Sequence, residues 1–194
     1  MTGGFDNKVR FWDLQSQQPK LEIQLPDKVL AMDVRGVLLV VCMPEKQIHM
    51  FNLSSNTPNQ PFRKMTSPLK RNARCCRVMT TCDGFIVGSE EGRCAVRYAD
   101  ESKDTQRTGG GFNFKCHRDG EKAYPVHAGG RFLCFSFQMM HFIALHFFFC
   151  LFAVDWQPST QCKDVFVTAG GDSTWATWDK SKLARANGCN KMYE

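Results

Sequence analysis

Apolar and polar residues alternate over short stretches of this chain, and the stretch nearest its start shows the pattern most clearly. Val9 and Phe11 point to one side of a predicted strand, and Arg10 and Trp12 point to the other. Residues 3–7, just before this strand, contain two glycines, an aspartate and an asparagine, which are residue types that favour tight turns. The segment therefore predicts a strand, a turn and a second strand.

The same pattern returns near the other end of the chain. Residues 2–13 align without a gap on residues 168–179, and both copies end in Trp-Asp. In both copies paired glycines precede a short polar turn, which places small residues where two strands crowd together. Such self-similarity is typical of a fold built from one repeated supersecondary unit.

Two weaker copies lie between these segments. Residues 40–51 end on Phe51 in place of the tryptophan. Residues 88–98 end on Tyr98 in that place, with one more residue between the first glycine and the aromatic position than in residues 3–12. The first tryptophan and Phe51 are 39 residues apart, and Phe51 and Tyr98 are 47 residues apart. Both spacings are close to the ~40–45 residues of a WD-repeat blade. The 80 residues from Tyr98 to Trp178 predict an insertion.

These repeats predict an all-β chain, a WD-repeat β-propeller that is incomplete. At this repeat length residues 1–194 make about four blades of an expected seven, within one partial domain. Because the chain opens on the second strand of a blade, we expect earlier blades to be missing. An ordinary β-sandwich with glycine-rich hairpins is the alternative.

Composition narrows the function without fixing it. The formal net charge of +6 is compatible with nucleic acid or with acidic peptides. The ten cysteines include no pair separated by two residues and follow no signal peptide, so we expect reduced thiols in an intracellular protein and no bound metal. The sequence contains neither a phosphate-binding glycine loop nor a nucleophile elbow, so we expect no enzyme, no cofactor and no small-molecule substrate.

An apolar segment lies within the long spacing before Trp178. Residues 132–154 contain no charged residue, and eight of the sixteen phenylalanines fall between Phe132 and Phe152. A membrane span, a buried core segment and a translated intron are three alternatives, and the polar residues inside the segment make a span unfavourable. Omitting residues 129–152 leaves a blade spacing of 56 residues, so we interpret these residues as an insert from a retained intron within the last blade.

The linkers between the predicted blades carry a resemblance to a known family. Gln-Leu-Pro at 24–26, Ser-Pro-Leu-Lys at 67–70, Gly-Ser-Glu-Glu-Gly-Arg at 88–93 and Phe-Lys-Cys-His-Arg at 114–118 occur in this order. This series resembles the small WD-repeat family that contains the mRNA export factor of the nuclear pore and a mitotic spindle-checkpoint propeller. The first two segments are more similar to the export factor.

The resemblance implies a partner and a binding site. In this family the propeller binds a short GLEBS-type segment of a nucleoporin or of a checkpoint kinase, and basic residues meet paired glutamates of that segment. The match places Arg118 at one such position, with Lys115 as a neighbour. A guanidinium is planar and can donate two parallel hydrogen bonds to a carboxylate, which suits this contact. Read without the resemblance, both residues belong to a solvated loop.

A second basic group comprises Lys64, Lys70, Arg71, Arg74 and Arg77. Lys70, Arg71 and Arg74 are candidates for contact with RNA phosphates within an mRNA ribonucleoprotein. A solvated connecting loop is the alternative, since the sequence contains no recognised RNA-binding motif.

The leading hypothesis from the sequence is an adaptor that binds a GLEBS-containing nucleoporin and supports mRNA export. It would act in the nucleus, at the nuclear pore complex on the nuclear envelope rim, with the cytoplasm as a second location. A checkpoint adaptor that binds a kinase is the runner-up. A protein anchored in the membrane by the apolar segment is the third hypothesis, and an enzyme is the least supported class.

Overall fold

The computed structural model describes residues 1–106, 109–119, 122–123, 126, 154–156, 164–170 and 174–183. The predicted insert at 129–152 lies outside these residues. Within the described ranges, none of the helices has the length and apolar character needed to cross a membrane.

The first three sheets are antiparallel and follow one another along the chain. The first sheet has three strands, β1 (Thr2–Gly3), β2 (Lys8–Trp12) and β3 (Pro19–Gln24). The second has four strands, β4 (Ala31–Arg35), β5 (Leu38–Cys42), β6 (Gln47–Asn52) and β7 (Pro61–Thr66). The third also has four, β8 (Ala73–Val78), β9 (Gly84–Ser89), β10 (Arg93–Tyr98) and β11 (Phe112–Lys115).

The remaining strands form a short hairpin and a fourth sheet. The hairpin pairs β12 (Arg118–Asp119) with β13 (Lys122–Ala123). The fourth sheet contains β14 (Val154–Trp156), β15 (Val165–Ala169) and β16 (Trp175–Asp179). Two single-turn helices complete the described elements, α1 (Glu101–Asp104) and α2 (Lys180–Leu183).

The strand register confirms the repeat between the two ends of the chain. Thr2 lies opposite Arg10 in the first sheet, and Thr168 lies opposite Ala176 in the fourth. These are aligned positions in the two copies, so both hairpins close at the same point. In the second sheet Val41 lies opposite His49, and these two residues are as far apart along the chain as the pairs in the other two hairpins. Phe51 is therefore in register with the two tryptophans, as predicted.

The third sheet corrects the predicted role of Tyr98. Its hairpin pairs Gly88 with Cys94, across a turn as long as the turns in the other copies. Counting from that turn, Arg97 holds the position of the tryptophans and Tyr98 is one residue further along. Successive side chains of a strand point to opposite faces, so Tyr98 lies on the other face, where it joins the cluster that contains Trp178.

Apolar side chains fill the space between each pair of successive sheets, which explains why whole strands are buried. Leu39 and Val41 of β5 pack with Val9 and Ile23 of the first sheet. The alternate residues of the same strand join a different cluster, together with Phe85 of the third sheet. A third cluster joins the third and fourth sheets. Four small antiparallel sheets packed face to face are the architecture of a partial β-propeller, so the predicted fold class is confirmed.

Candidate nucleoporin and RNA interface

One end of the stacked sheets is made of loops that hold one another through backbone hydrogen bonds. The Leu25 amide donates to the carbonyl of Asn7 in the first sheet, at 2.8 Å. The Ser67 amide, from the loop before the third sheet, donates to the carbonyl of Lys46 at 2.7 Å. These bonds link each turn within a sheet to the loop leading into the next sheet. The candidate basic residues lie at this same end, which we call the loop end.

The turn at residues 90–92, between β9 and β10, organises this surface. The Glu91 carboxylate accepts a hydrogen bond from the Lys70 amide at 2.9 Å. On the other side of the turn, the Cys116 amide donates to the carbonyl of Gly92 at 3.0 Å. The turn thus connects the loop that carries Lys70 and Arg71 to the segment between Lys115 and Arg118. Part of the second basic group, the loop with Lys70 and Arg71, therefore lies beside the same turn as the segment that contains the first group.

Arg74 lies on β8, beside this turn, and its guanidinium forms an ion pair with Glu90. Both side chains are about half exposed, at 53% and 41%. An exposed pair of this kind contributes only about 0–1 kcal/mol to stability, because water screens the charges. Arg74 is therefore available to exchange Glu90 for an incoming anion.

Of the two predicted peptide-binding residues, Lys115 lies on the edge strand of the third sheet and Arg118 lies in the hairpin that follows it. Lys115 is the exposed last residue of β11, and its Cα lies opposite that of Arg93 in the strand register. Arg118 begins β12 and pairs with Ala123. Only His117 and Cys116 separate Lys115 from Arg118 along the chain.

Arg93 is a candidate residue that the sequence reading did not select. Its Nε is buried and has no hydrogen-bond partner among the residues that the structure describes, and a carboxylate oxygen of Glu91 lies 3.8 Å away. The side chain as a whole is 31% exposed. A partly satisfied guanidinium between Glu91 and Lys115 adds positive charge to the loop end. The signal was present in the sequence, because Arg93 ends the Gly-Ser-Glu-Glu-Gly-Arg segment.

Arg77 is not part of this surface. Its guanidinium lies 3.4 Å from the Asp33 carboxylate, and the two side chains are 11% and 17% exposed. Asp33 also accepts a hydrogen bond from the amide of Val78 at 2.8 Å. This pair therefore joins the second and third sheets. Lys64 is exposed on β7, where it lies opposite His49 in the register.

A buried polar chain connects the loop end to the fourth sheet. Trp178 donates its indole N–H to the hydroxyl of Thr168 at 2.8 Å, and that hydroxyl also pairs with His117 Nε2 at 3.0 Å. The other ring nitrogen of His117 pairs with the hydroxyl of Thr174 at 3.2 Å. Because His117 adjoins Arg118 in the sequence, these hydrogen bonds anchor the backbone next to Arg118.

The described residues hold no group of three histidine, cysteine, aspartate or glutamate side chains placed to bind a metal ion. The cysteines within these residues form no disulfide with one another, and all but Cys82 are buried.

Comparison with known proteins identifies relatives over most of the chain. The chain is 33% identical to "mRNA export factor GLE2" of Chaetomium thermophilum over 190 residues, which is 97% of this chain and 44% of the relative. It is 32% identical to "WD40 repeat protein poxJ" of Penicillium oxalicum over 180 residues, or 93% of this chain and 44% of that protein. No family model matches the chain.

A relative with a different role is "Mitotic checkpoint protein bub-3" of Caenorhabditis elegans, which is 34% identical over 134 residues. That match covers 66% of this chain and 38% of the relative. The chain thus spans less than half the length of each of these three relatives. The resemblance to the WD-repeat family of the export factor and the checkpoint protein is confirmed.

Proposed function

We propose that this chain, a homologue of the WD-repeat mRNA export factors, is a non-enzymatic adaptor that binds a GLEBS-type segment of a nucleoporin. It would thereby support mRNA export through the nuclear pore. We place its action in the nucleus, at the pore complex on the nuclear envelope rim, with the cytoplasm as a second location.

The observation that carries this proposal is the convergence of basic residues around the turn at residues 90–92. Arg74 and Arg93 flank the turn, and Lys115 lies opposite Arg93. A segment with paired glutamates requires two or more cations within one short span. The loop end supplies them on both sides of one turn, which is hydrogen-bonded to one neighbouring loop through the Glu91 carboxylate and to the other segment through the Gly92 carbonyl.

Charge-assisted hydrogen bonds would provide most of the specificity. A guanidinium binds a carboxylate through two parallel N–H donors, and such bonds are stronger than those between neutral groups. Glu90 and Glu91 already occupy part of this positive surface. A partner carboxylate would therefore compete with Glu90 for Arg74.

A pull-down with a synthetic GLEBS-type peptide tests the proposal. We expect Arg118→Ala to weaken binding by about 2–5 kcal/mol, the cost of leaving one charge of a buried pair without its partner. Lys115→Ala is expected to have a smaller effect, because Lys115 is an assisting neighbour.

The matched control is Lys20→Ala, which also removes one exposed cation but lies on β3 of the first sheet. This variant should retain the peptide as well as the unmodified chain does. Equal retention of the Arg118→Ala and Lys20→Ala proteins would rule out the role of Arg118. Failure of the unmodified chain to retain the peptide would contradict the adaptor proposal itself.

The second candidate is a checkpoint adaptor that binds a GLEBS-type segment of a kinase, and the match to the checkpoint relative favours it. The same surface would serve, so mutations at the loop end do not separate the two candidates. Affinity purification of the endogenous protein separates them: a nucleoporin in the eluate supports the export role, and a kinetochore kinase supports the checkpoint role.

Contact with an mRNA ribonucleoprotein is a further part of the proposal. Lys70 and Arg71 are exposed on the loop between β7 and β8, close to Arg74. Phosphate contacts make affinity fall as salt rises, in proportion to the number of counterions released. A Lys70→Ala/Arg71→Ala protein should therefore bind single-stranded RNA more weakly and with a shallower salt dependence. An unchanged salt dependence would exclude these residues from RNA contact.

A further inference from the structure

Two cysteines near the edge strand of the third sheet have their sulfur atoms close together. The Sγ atoms of Cys94 and Cys116 lie 3.5 Å apart. Cys94 belongs to β10 and is completely buried, whereas Cys116 directly follows β11 and is 8% exposed. Both side chains belong to the cluster between the third and fourth sheets.

A bond between these two sulfur atoms requires a local movement. A disulfide has a sulfur–sulfur length of about 2.05 Å, so the two atoms need to approach by about 1.5 Å. Cys94 lies opposite Phe114, and Cys116 is two residues further along the same edge. Among the described strands β11 pairs with β10 alone, so a shift of its end disturbs one set of strand hydrogen bonds.

Cys75 and Cys76 are less suited than Cys116 to be the first thiol oxidised, because both are more deeply buried. Burial raises the pKa of the Cys75 thiol far above its usual range, which keeps it protonated and a poor nucleophile. A hydrogen bond with Cys42, together with burial, raises the pKa of Cys76 in the same direction. The thiol of Cys82 is partly exposed, and its sulfur lies 3.9 Å from the carbonyl oxygen of Thr80.

We propose that Cys94 and Cys116 are a redox-responsive thiol pair that forms a reversible disulfide when the protein meets a peroxide. Hydrogen peroxide first oxidises the more exposed thiol, giving Cys116 sulfenic acid and one molecule of water. The sulfur of Cys94 then attacks the Cys116 sulfur and displaces a second molecule of water. Two electrons pass from the two thiols to the peroxide, and a dithiol reductant reverses the reaction.

The proposed disulfide would form next to the candidate binding residues. Cys116 directly follows Lys115 and lies two residues before Arg118. A movement of its sulfur toward β10 would therefore shift the backbone that carries these two basic residues. Charge-assisted hydrogen bonds depend steeply on geometry, so we expect the oxidised protein to bind a GLEBS-type peptide several-fold more weakly. This consequence, unlike the disulfide itself, rests on the proposed function.

The test treats the folded full chain with hydrogen peroxide, blocks the remaining thiols with N-ethylmaleimide and analyses a tryptic digest by mass spectrometry. We expect peptides 94–97 and 116–118 to appear as one linked species that dithiothreitol separates. Cys94→Ser and Cys116→Ser should each abolish this species, and circular dichroism shows whether each variant is folded. Cys82→Ser is the control and should leave the linked species unchanged.

Two results would overturn the proposal. One is oxidation of Cys116 to the sulfinic acid without any linked peptide, and the other is a disulfide that joins a different pair of cysteines. Because this assay uses no partner, its failure is distinct from a failure of the peptide pull-down. If the disulfide forms but peptide affinity is unchanged, the proposed effect on binding is wrong.

Discussion

Trp178 donates its indole N–H to the hydroxyl of Thr168, and Trp12 donates its own to the hydroxyl of Thr2, both at 2.8 Å. Trp178 is completely buried, whereas Trp12 is 44% exposed. The same bond therefore forms in two different environments, because the hairpin register brings the two side chains together in both copies. Its energetic value, however, should differ between the two sites.

Replacing Trp178 with phenylalanine should destabilise the fold by about 1–3 kcal/mol, because a buried donor and part of a packed ring are lost. The matched Trp12→Phe change should cost less than about 1 kcal/mol, because water can replace the lost bond at an exposed site. Urea unfolding of both variants measures the difference in the free energy of unfolding. Equal losses would show that burial does not set the value of this bond.

Gly170 and Gly3 lie at neighbouring positions of the two aligned copies, since Gly170 aligns on Gly4 and Gly3 on Ala169. A Cβ atom on Gly170 would overlap the ring of the buried His117, which is held by hydrogen bonds to two threonines. A Cβ atom on Gly3 would meet the end of the Met32 side chain, 2.7 Å from its sulfur, and this side chain is flexible.

We therefore expect Gly170→Ala to cost about 1–3 kcal/mol through overpacking, and Gly3→Ala to cost clearly less. The thermal midpoints of the two variants provide the measurement. A larger loss for Gly3→Ala would mean that the position of His117 does not depend on close approach of the backbone at Gly170.

The hairpins could be predicted from the sequence because their determinants are local. The first and last copies were identified from three local features: the alternation around Val9, the turn-forming residues and the aromatic residue at the end of the second strand. Phe51 was identified correctly for the same reason, since its hairpin has the same length. Tyr98 was assigned wrongly, because register is counted from the turn and the nearest aromatic residue is one position off.

The candidate surface could be predicted only in pieces. The sequence identified Lys70 and Lys115 separately, 45 residues apart, and nothing local indicates that one turn connects them. Arg77 appeared to belong with the basic loop, yet its strand directs it toward Asp33 in the neighbouring sheet. Such relationships depend on how sheets pack, which a pattern within one segment does not specify.

His49 should make stability depend on pH. Burial lowers the pKa of its imidazole, and the nearby Lys64 ammonium lowers the pKa further. The unfolded chain then binds a proton below about pH 6.5 that the folded chain does not. Stability conferred by neutral His49 is thus complete above the unfolded pKa and is lost as the pH falls toward the folded pKa.

The contribution of one such group to the slope cannot exceed about 1.4 kcal/mol per pH unit. Between pH 7 and pH 5, the free energy of unfolding of the His49→Leu protein should therefore depend less on pH than that of the unmodified protein. Lys64→Met should reduce the slope without removing it, since burial remains. A curve for His49→Leu that runs parallel to that of the unmodified protein would contradict this assignment.

Glu90 should restrain peptide binding at the loop end, because it occupies Arg74 and adds negative charge beside the turn. Glu90→Gln should therefore strengthen binding of an acidic GLEBS-type peptide about two- to fivefold at low salt, with the gain shrinking as salt screens the charges. Stability should change by less than about 1 kcal/mol, because the ion pair is exposed.

Glu22→Gln is the matched control, since it removes the same charge from the first sheet, where Glu22 pairs with Lys8 and Arg10. Fluorescence anisotropy titrations of both variants at two salt concentrations separate a local effect from one of net charge: an equal gain in both would mean that Arg74 is not part of the binding surface.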